Sequence, residues 1–121
     1  DLAISAIKAS DLVLIPVQPS PYDIWAASDL VDLVKQRIEM TDGRLKAAFV
    51  VSRAIKNTKI GAEIREALEG YGLPVLAARV TQSVAYPSTA AAGTTVLDVE
   101  PNSNAAQEIR GLADEVLALL K

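Results

Sequence analysis

DLVLIPVQPSPYDIW, residues Asp11 to Trp25, decides the fold. Leu12 to Val17 is an unbroken apolar run, the pattern of a strand covered on both faces in a parallel sheet. Three prolines then fall within six residues, Pro16, Pro19 and Pro21. Pro16 has no N–H for a sheet ladder, which argues against a mid-sheet place and is tolerable near a strand's end. Pro21 suits the entry turn of a helix, with Ser20 or Asp23 as its cap. A stiff corner at the carboxyl end of a strand stands where open α/β sheets hold their ligands.

The same alternation extends outward. Residues 1–9 read as the end of a short helix with Leu2, Ile4 and Ile7 on its apolar side. After the strand at 11–17, a helix over 22–40 carries Ile24, Ala27, Leu30, Val31, Val34 and Ile38 at helical spacing. Thr41-Asp42-Gly43 ends it. KAAFVVS, residues 46–52, predicts a second buried strand. A helix over 59–71 has Ile60, Ile64, Ala67 and Leu68 inward, and Gly72 stops it. A third, shorter strand covers 74–80 and a short helix 84–92, closed by Gly93. Residues 95–99 read as extended. The loop from Pro101 to Asn104 supplies the N-cap of a last helix over 105–120. Its predicted inward stripe is Ile109, Leu112, Ala113, Val116, Leu119 and Leu120. Strands alternating with helices imply a parallel sheet with helices on both faces. Residues 1–121 are expected to form a single α/β segment.

Composition narrows the chemistry. The chain has 121 residues, half of them apolar and 22% charged, which suits one globular unit. It has no cysteine, hence neither disulfides nor thiol chemistry. It has no histidine, the commonest metal ligand and general base. With a net charge of −3, any contact with nucleic acid requires a local basic patch. No run approaches the length of a membrane span. The first residue is Asp1, already inside a helical pattern, and the chain reads as a segment of a longer protein.

No phosphate-cradling G-x-x-x-x-G-K-[ST] is present, and no G-x-G-x-x-G. Asp29, Asp32, Glu39, Glu63, Glu66, Glu69, Asp114 and Glu115 lie on the helices and read as solvated faces with some i,i+4 pairing. Ligand contacts are expected at the strand ends: Gln18–Asp23, Ser52–Lys59 and Thr81–Tyr86.

At those ends the residues resemble a known family. SDLVLIPVQPSPYDIWAA, residues 10–27, is similar to the D-L-V-x-I-P-V-x-P-S-P-x-D stretch of ParA-type partition ATPases, nearest to short, ParF-like members. AAFVVSRAIKNTKI, residues 47–60, resembles their strand ending in [NST]-R. RVTQSVAYPSTAAAGTTVLDVEP, residues 79–101, resembles their I-[PT]-x-x-x-x-Y/L segment with its A-x-x-G-x-[PST]-V-x-[DE] continuation. AAQEIRGLADEVLALL, residues 105–120, resembles their closing A-x-x-E-[IV]-x-x-[LI]-x-x-E helix. The likeness runs along essentially the whole chain, and the proline corner is its most specific part.

The resemblance implies the C-terminal part of a P-loop NTPase fold of the SIMIBI, MinD/ParA type. The deviant phosphate loop, K-G-G-x-[GR]-K-T, and the magnesium-side aspartate would precede Asp1. This segment alone is therefore not expected to hydrolyse ATP, although the intact protein would use ATP and Mg. By resemblance, Ser52, Arg53, Thr81 and Gln82 bind the nucleotide's base; Ser52 replaces an asparagine common in MinD-like relatives. A surface salt bridge is the plain alternative for Arg53. Pro19, Ser20, Pro21 and Asp23 would form the dimer and nucleotide-sensing corner, or else a simple strand-to-helix turn. Lys56, Lys59, Arg65 and Arg79 would contact DNA, or else remain solvated charges. The implied partners are a second copy of the chain, non-specific DNA and a ParB-type centromere-binding protein. The implied location is cytoplasmic and nucleoid-associated.

Two other readings stand beside this one. The chain could be a stand-alone α/β dimerisation or regulatory module. It could instead be part of a MinD-like positioning ATPase or a transfer-DNA accessory protein. MinD-like members end in a basic amphipathic membrane helix, whereas Ile109–Lys121 has an ordinary inward stripe and a nearly neutral polar face. A half-sheet of three strands would expose an edge, so self-association is expected.

Overall fold

A computed structural model describes residues 2–54 and 59–121. Its elements run α1 (Leu2–Ala9), β1 (Leu12–Val17), α2 (Pro21–Met40), β2 (Lys46–Ala54), α3 (Lys59–Glu69), β3 (Val75–Thr81), α4 (Ala85–Ala91), α5 (Val96–Val99) and α6 (Asn104–Leu120). The strands form one three-stranded parallel sheet in the order β1-β2-β3. The chain thus has the α/β architecture of alternating strands and helices.

β2 occupies the centre because both of its faces are apolar. Ala47, Phe49 and Val51 turn to one side and join Ile15, Val17, Val31, Val34, Ile64 and Leu68 in the main core. Ala48 and Val50 turn to the other side and meet Leu76, with Leu112, Val116 and Leu119 of α6 packed against them. Helices therefore cover both faces of the sheet: α1, α2 and α3 on one, α6 on the other.

β1 departs from its reading as a strand buried on both faces. It is an edge strand, and Pro16 on it is exposed. Val13, Ile15 and Val17 face the main core, but α6 packs chiefly on β3 and does not cover Pro16. The missing proline N–H is harmless at an edge.

The inward stripes are narrower than expected. Ala113 and Leu120 are exposed, each standing one residue, about 100°, past the stripe of Leu112, Val116 and Leu119. Ala67, Leu2 and Ile4 are also exposed. The side chain of Ile60 lies outside the described residues.

Residues 96–99 are one turn of helix rather than the extended piece expected there. Thr95 and Asp98 form a capping box: the Asp98 N–H donates to Thr95 Oγ1 at 3.4 Å, and the Thr95 N–H to Asp98 Oδ2 at 3.3 Å. Val96 is buried beneath α6. Local capping, reinforced by that burial, outweighs the β-branched composition of TTVLDV. Thr95→Ala is expected to cost about 1 kcal/mol of stability, read as a shifted urea midpoint.

Candidate functional site

The carboxyl end of the sheet is shaped by two local devices. The first is the proline corner. Ser20 is the N-cap of α2, accepting the Tyr22 N–H at 3.3 Å, and Pro21 sits in the first turn. The Asp23 carboxylate accepts the Gln18 N–H at 2.9 Å, and the Ser20 N–H donates to the Gln18 carbonyl at 2.7 Å. The open choice of cap resolves into two roles: Ser20 caps the helix, while Asp23 ties it back to the strand's exit. Two prolines and these bonds hold the corner without a ligand.

The second device is a bulge. Ser52 pairs with Val80 and Ala54 with Thr81, leaving Arg53 unpaired between them at φ 52°. A non-glycine residue with left-handed φ is uncommon and costs free energy, and such conformations cluster at binding sites. The bulge opens the end of the β2–β3 ladder into a cleft of about 590 Å³. Ser52, Arg53, Thr81 and Gln82 line it, together with Val80, Ser83, Val84, Tyr86 and Pro87. Its size is that of a small-molecule site. The four residues expected around a nucleotide base therefore share one cleft. Pro19, Ser20, Pro21 and Asp23 lie at the same end of the sheet but do not line it.

One wall of the cleft is fastened from α6. Glu108 accepts the Thr81 N–H at Oε1 (3.1 Å) and the Thr81 hydroxyl at Oε2 (2.7 Å). The Tyr86 hydroxyl lies 2.8 Å from Glu108 Oε1 and 3.3 Å from the Ala105 carbonyl; its one proton goes to the nearer, charged acceptor. Burial, reinforced by the Glu108 carboxylate, pushes the Tyr86 phenol well above its ordinary value of 10.0. Two turns along α6, Glu115 accepts the N–H groups of Ala77 and Ala78. β3 bulges there, since Phe49 pairs with Val75 but Val51 with Arg79. Glu115 is thus not a solvated helix charge. It closes the irregular outer edge of β3, a protection that exposed edges need.

Neither glutamate's role was evident from the residues alone. Their spacing of seven was a signal, because it places them on one helix face. The motif A-x-x-E-[IV]-x-x-[LI]-x-x-E puts its glutamates at the same two positions.

The basic candidates separate. Lys59, at the start of α3, and Arg79, on β3, are exposed. Arg65 is committed elsewhere: its guanidinium donates to the carbonyls of Leu76 (3.1 Å) and Val75 (3.0 Å) and pairs with Glu69 at 3.4 Å. Lys56 lies outside the described residues.

The chain is 30% identical over 108 residues to the Maintenance of carboxysome distribution protein A of Halothiobacillus neapolitanus. The match takes in 88% of this chain and 50% of that protein, so the chain spans half the length of the relative. It supports a ParA/MinD-type relation and specifies no ParF-like subgroup. No protein-family model matches the chain.

Among the described residues, no group of three or more acidic side chains could hold a cation. Likewise, among the described residues no helix is long and apolar enough to cross a membrane.

Proposed function

We propose that this chain supplies the C-terminal part of a ParA-type ATPase that distributes DNA. The cleft at the carboxyl ends of β2 and β3 is the observation that carries this reading. Parallel α/β sheets bind nucleotides at that end, and Ser52, Arg53, Thr81 and Gln82 line it. ATP and Mg belong to the intact protein, whose phosphate loop would come from residues before Asp1. The cleft takes the adenine, and the Pro19–Asp23 corner faces a second copy and senses its nucleotide state. A ParB-type centromere-binding protein stimulates hydrolysis, and the dimer acts on the nucleoid, without a membrane.

The reading frame upstream of Asp1 tests this. A K-G-G-x-x-K-T motif is expected there, and a start codon just before Asp1 overturns the reading. This segment alone is expected to show no ATP turnover. Without a phosphate site, ATP should bind it no more tightly than adenosine does.

For DNA, Lys59 and Arg79 remain the exposed candidates. Replacing each with alanine in the intact protein should weaken DNA binding and reduce the salt slope by about one for each phosphate no longer neutralised. Unchanged binding removes the assignment. Arg65 has a smaller claim, because its guanidinium already serves β3.

The relative's name favours a second reading, in which the cargo is a protein compartment rather than DNA. Deleting the gene then scatters or clusters that compartment while plasmid inheritance stays intact.

A further inference from the structure

The part of Tyr86 left to the cleft is set by where its hydroxyl goes. The phenol donates to Glu108 on α6, 2.8 Å away. Glu108 also holds Thr81 through its N–H and its hydroxyl. Three donors from β3 and α4 thus converge on one carboxylate, which sets the strand end and the tyrosine relative to each other. Tyr86 and Thr81 both line the cleft. Tyr86 is half-buried and packs in part against Val96, Ala105 and Ala106, so with its polar tip also occupied, the part of it that lines the cleft is ring. Val80, Val84 and Pro87 give the same cleft an apolar character. Polar selection falls to Ser52, Arg53 and Gln82.

We infer that Tyr86 is the stacking wall for a planar purine base in this cleft and that Glu108 is its positioning residue. The inference rests on the base-binding reading of the cleft and gives Tyr86 and Glu108 roles that reading did not assign. A flat π-face beside an aromatic ring is a sequence-tolerant and sizeable contribution to base binding. Its strength depends on how the ring is held, because a ring free to rotate loses that freedom on binding.

The test uses this chain with millimolar adenosine, and ribose as the control lacking a base, followed by amide NMR. Adenosine should shift Thr81 and Gln82, and ribose should not. Tyr86→Leu should weaken adenosine about tenfold or more. Tyr86→Phe keeps the ring but loses the tether, and should fall between Leu and wild type. Glu108→Gln keeps one acceptor and should likewise recover part of what Glu108→Ala loses. A Tyr86→Leu protein that binds adenosine as wild type does overturns the stacking role and leaves the base-binding reading intact. Absence of any adenosine shift in wild type overturns that reading, and the stacking role with it. Should the leucine variant fail to fold, the wild-type protein still decides. NOEs between the Tyr86 ring and adenine H2 or H8 are expected, and their absence in the bound state overturns the inference.

Discussion

Phe49→Ala is expected to remove about 3–5 kcal/mol of folding free energy. Single domains hold only about 5–15 kcal/mol in total, so the variant should unfold at a much lower urea concentration than wild type. Phe49 is fully buried at the middle of the central strand. Its ring lies 6.0 Å from that of Tyr71, tilted by 46°. Tyr71 in turn donates its hydroxyl to the Ile24 carbonyl at 2.8 Å, joining the end of α3 to the start of α2. Alanine there leaves a cavity among groups that the sheet and two helices hold in place, so little collapse can relieve it. Phe49→Leu, which keeps most of the volume, should cost much less. Urea midpoints for the two variants check the ordering. Equal losses would mean that packing at Phe49 is not what matters.

Glu108→Ala is expected to cost about 3 kcal/mol at neutral pH, because three donors lose a charged acceptor in a partly buried place. The same site gives the chain a response to alkali. Folding holds the Tyr86 proton more tightly than the unfolded chain does, since the phenol lies above its ordinary value of 10.0 in the folded state. That contribution is fully present below pH 10. It declines as the pH rises past 10, where the unfolded phenol ionises and the folded one does not. Tyr86→Phe should lack this decline, and Glu108→Ala should reduce it. Urea midpoints measured from pH 7 to pH 11 give the comparison. An identical alkaline slope in wild type and Tyr86→Phe would separate Tyr86 from the effect.

Much of the architecture was legible because period and punctuation are local properties. KAAFVVS can be little other than a strand covered on both faces. Pro21 and Ser20 mark a helix start, and Gly43, Gly72 and Gly93 each adopt the positive φ that ends a helix. The four residues assigned to the cleft were legible through strand ends and a family likeness. Residues 95–99 misled because a one-turn helix is decided by a cap, which a composition of threonine and valine hides.

By itself, the sequence determined the alternation of strands and helices, the apolar character of both faces of Ala47–Val51, and the end of the sheet where a ligand belongs. Those features depend on neighbours within a turn or two. Only the tertiary structure decided that β1 is an edge, that Arg53 forms a bulge, and that Arg65 is used up on β3. It also decided that Glu108 and Glu115 fasten that strand from a helix, across 27 and 38 residues of chain. A carboxylate on an amphipathic helix looks the same in sequence whether it meets water or a strand's free N–H groups. Its role is set by what folding brings opposite it. The proline corner is braced by its own residues, whereas the cleft beside it is braced from the far end of the chain.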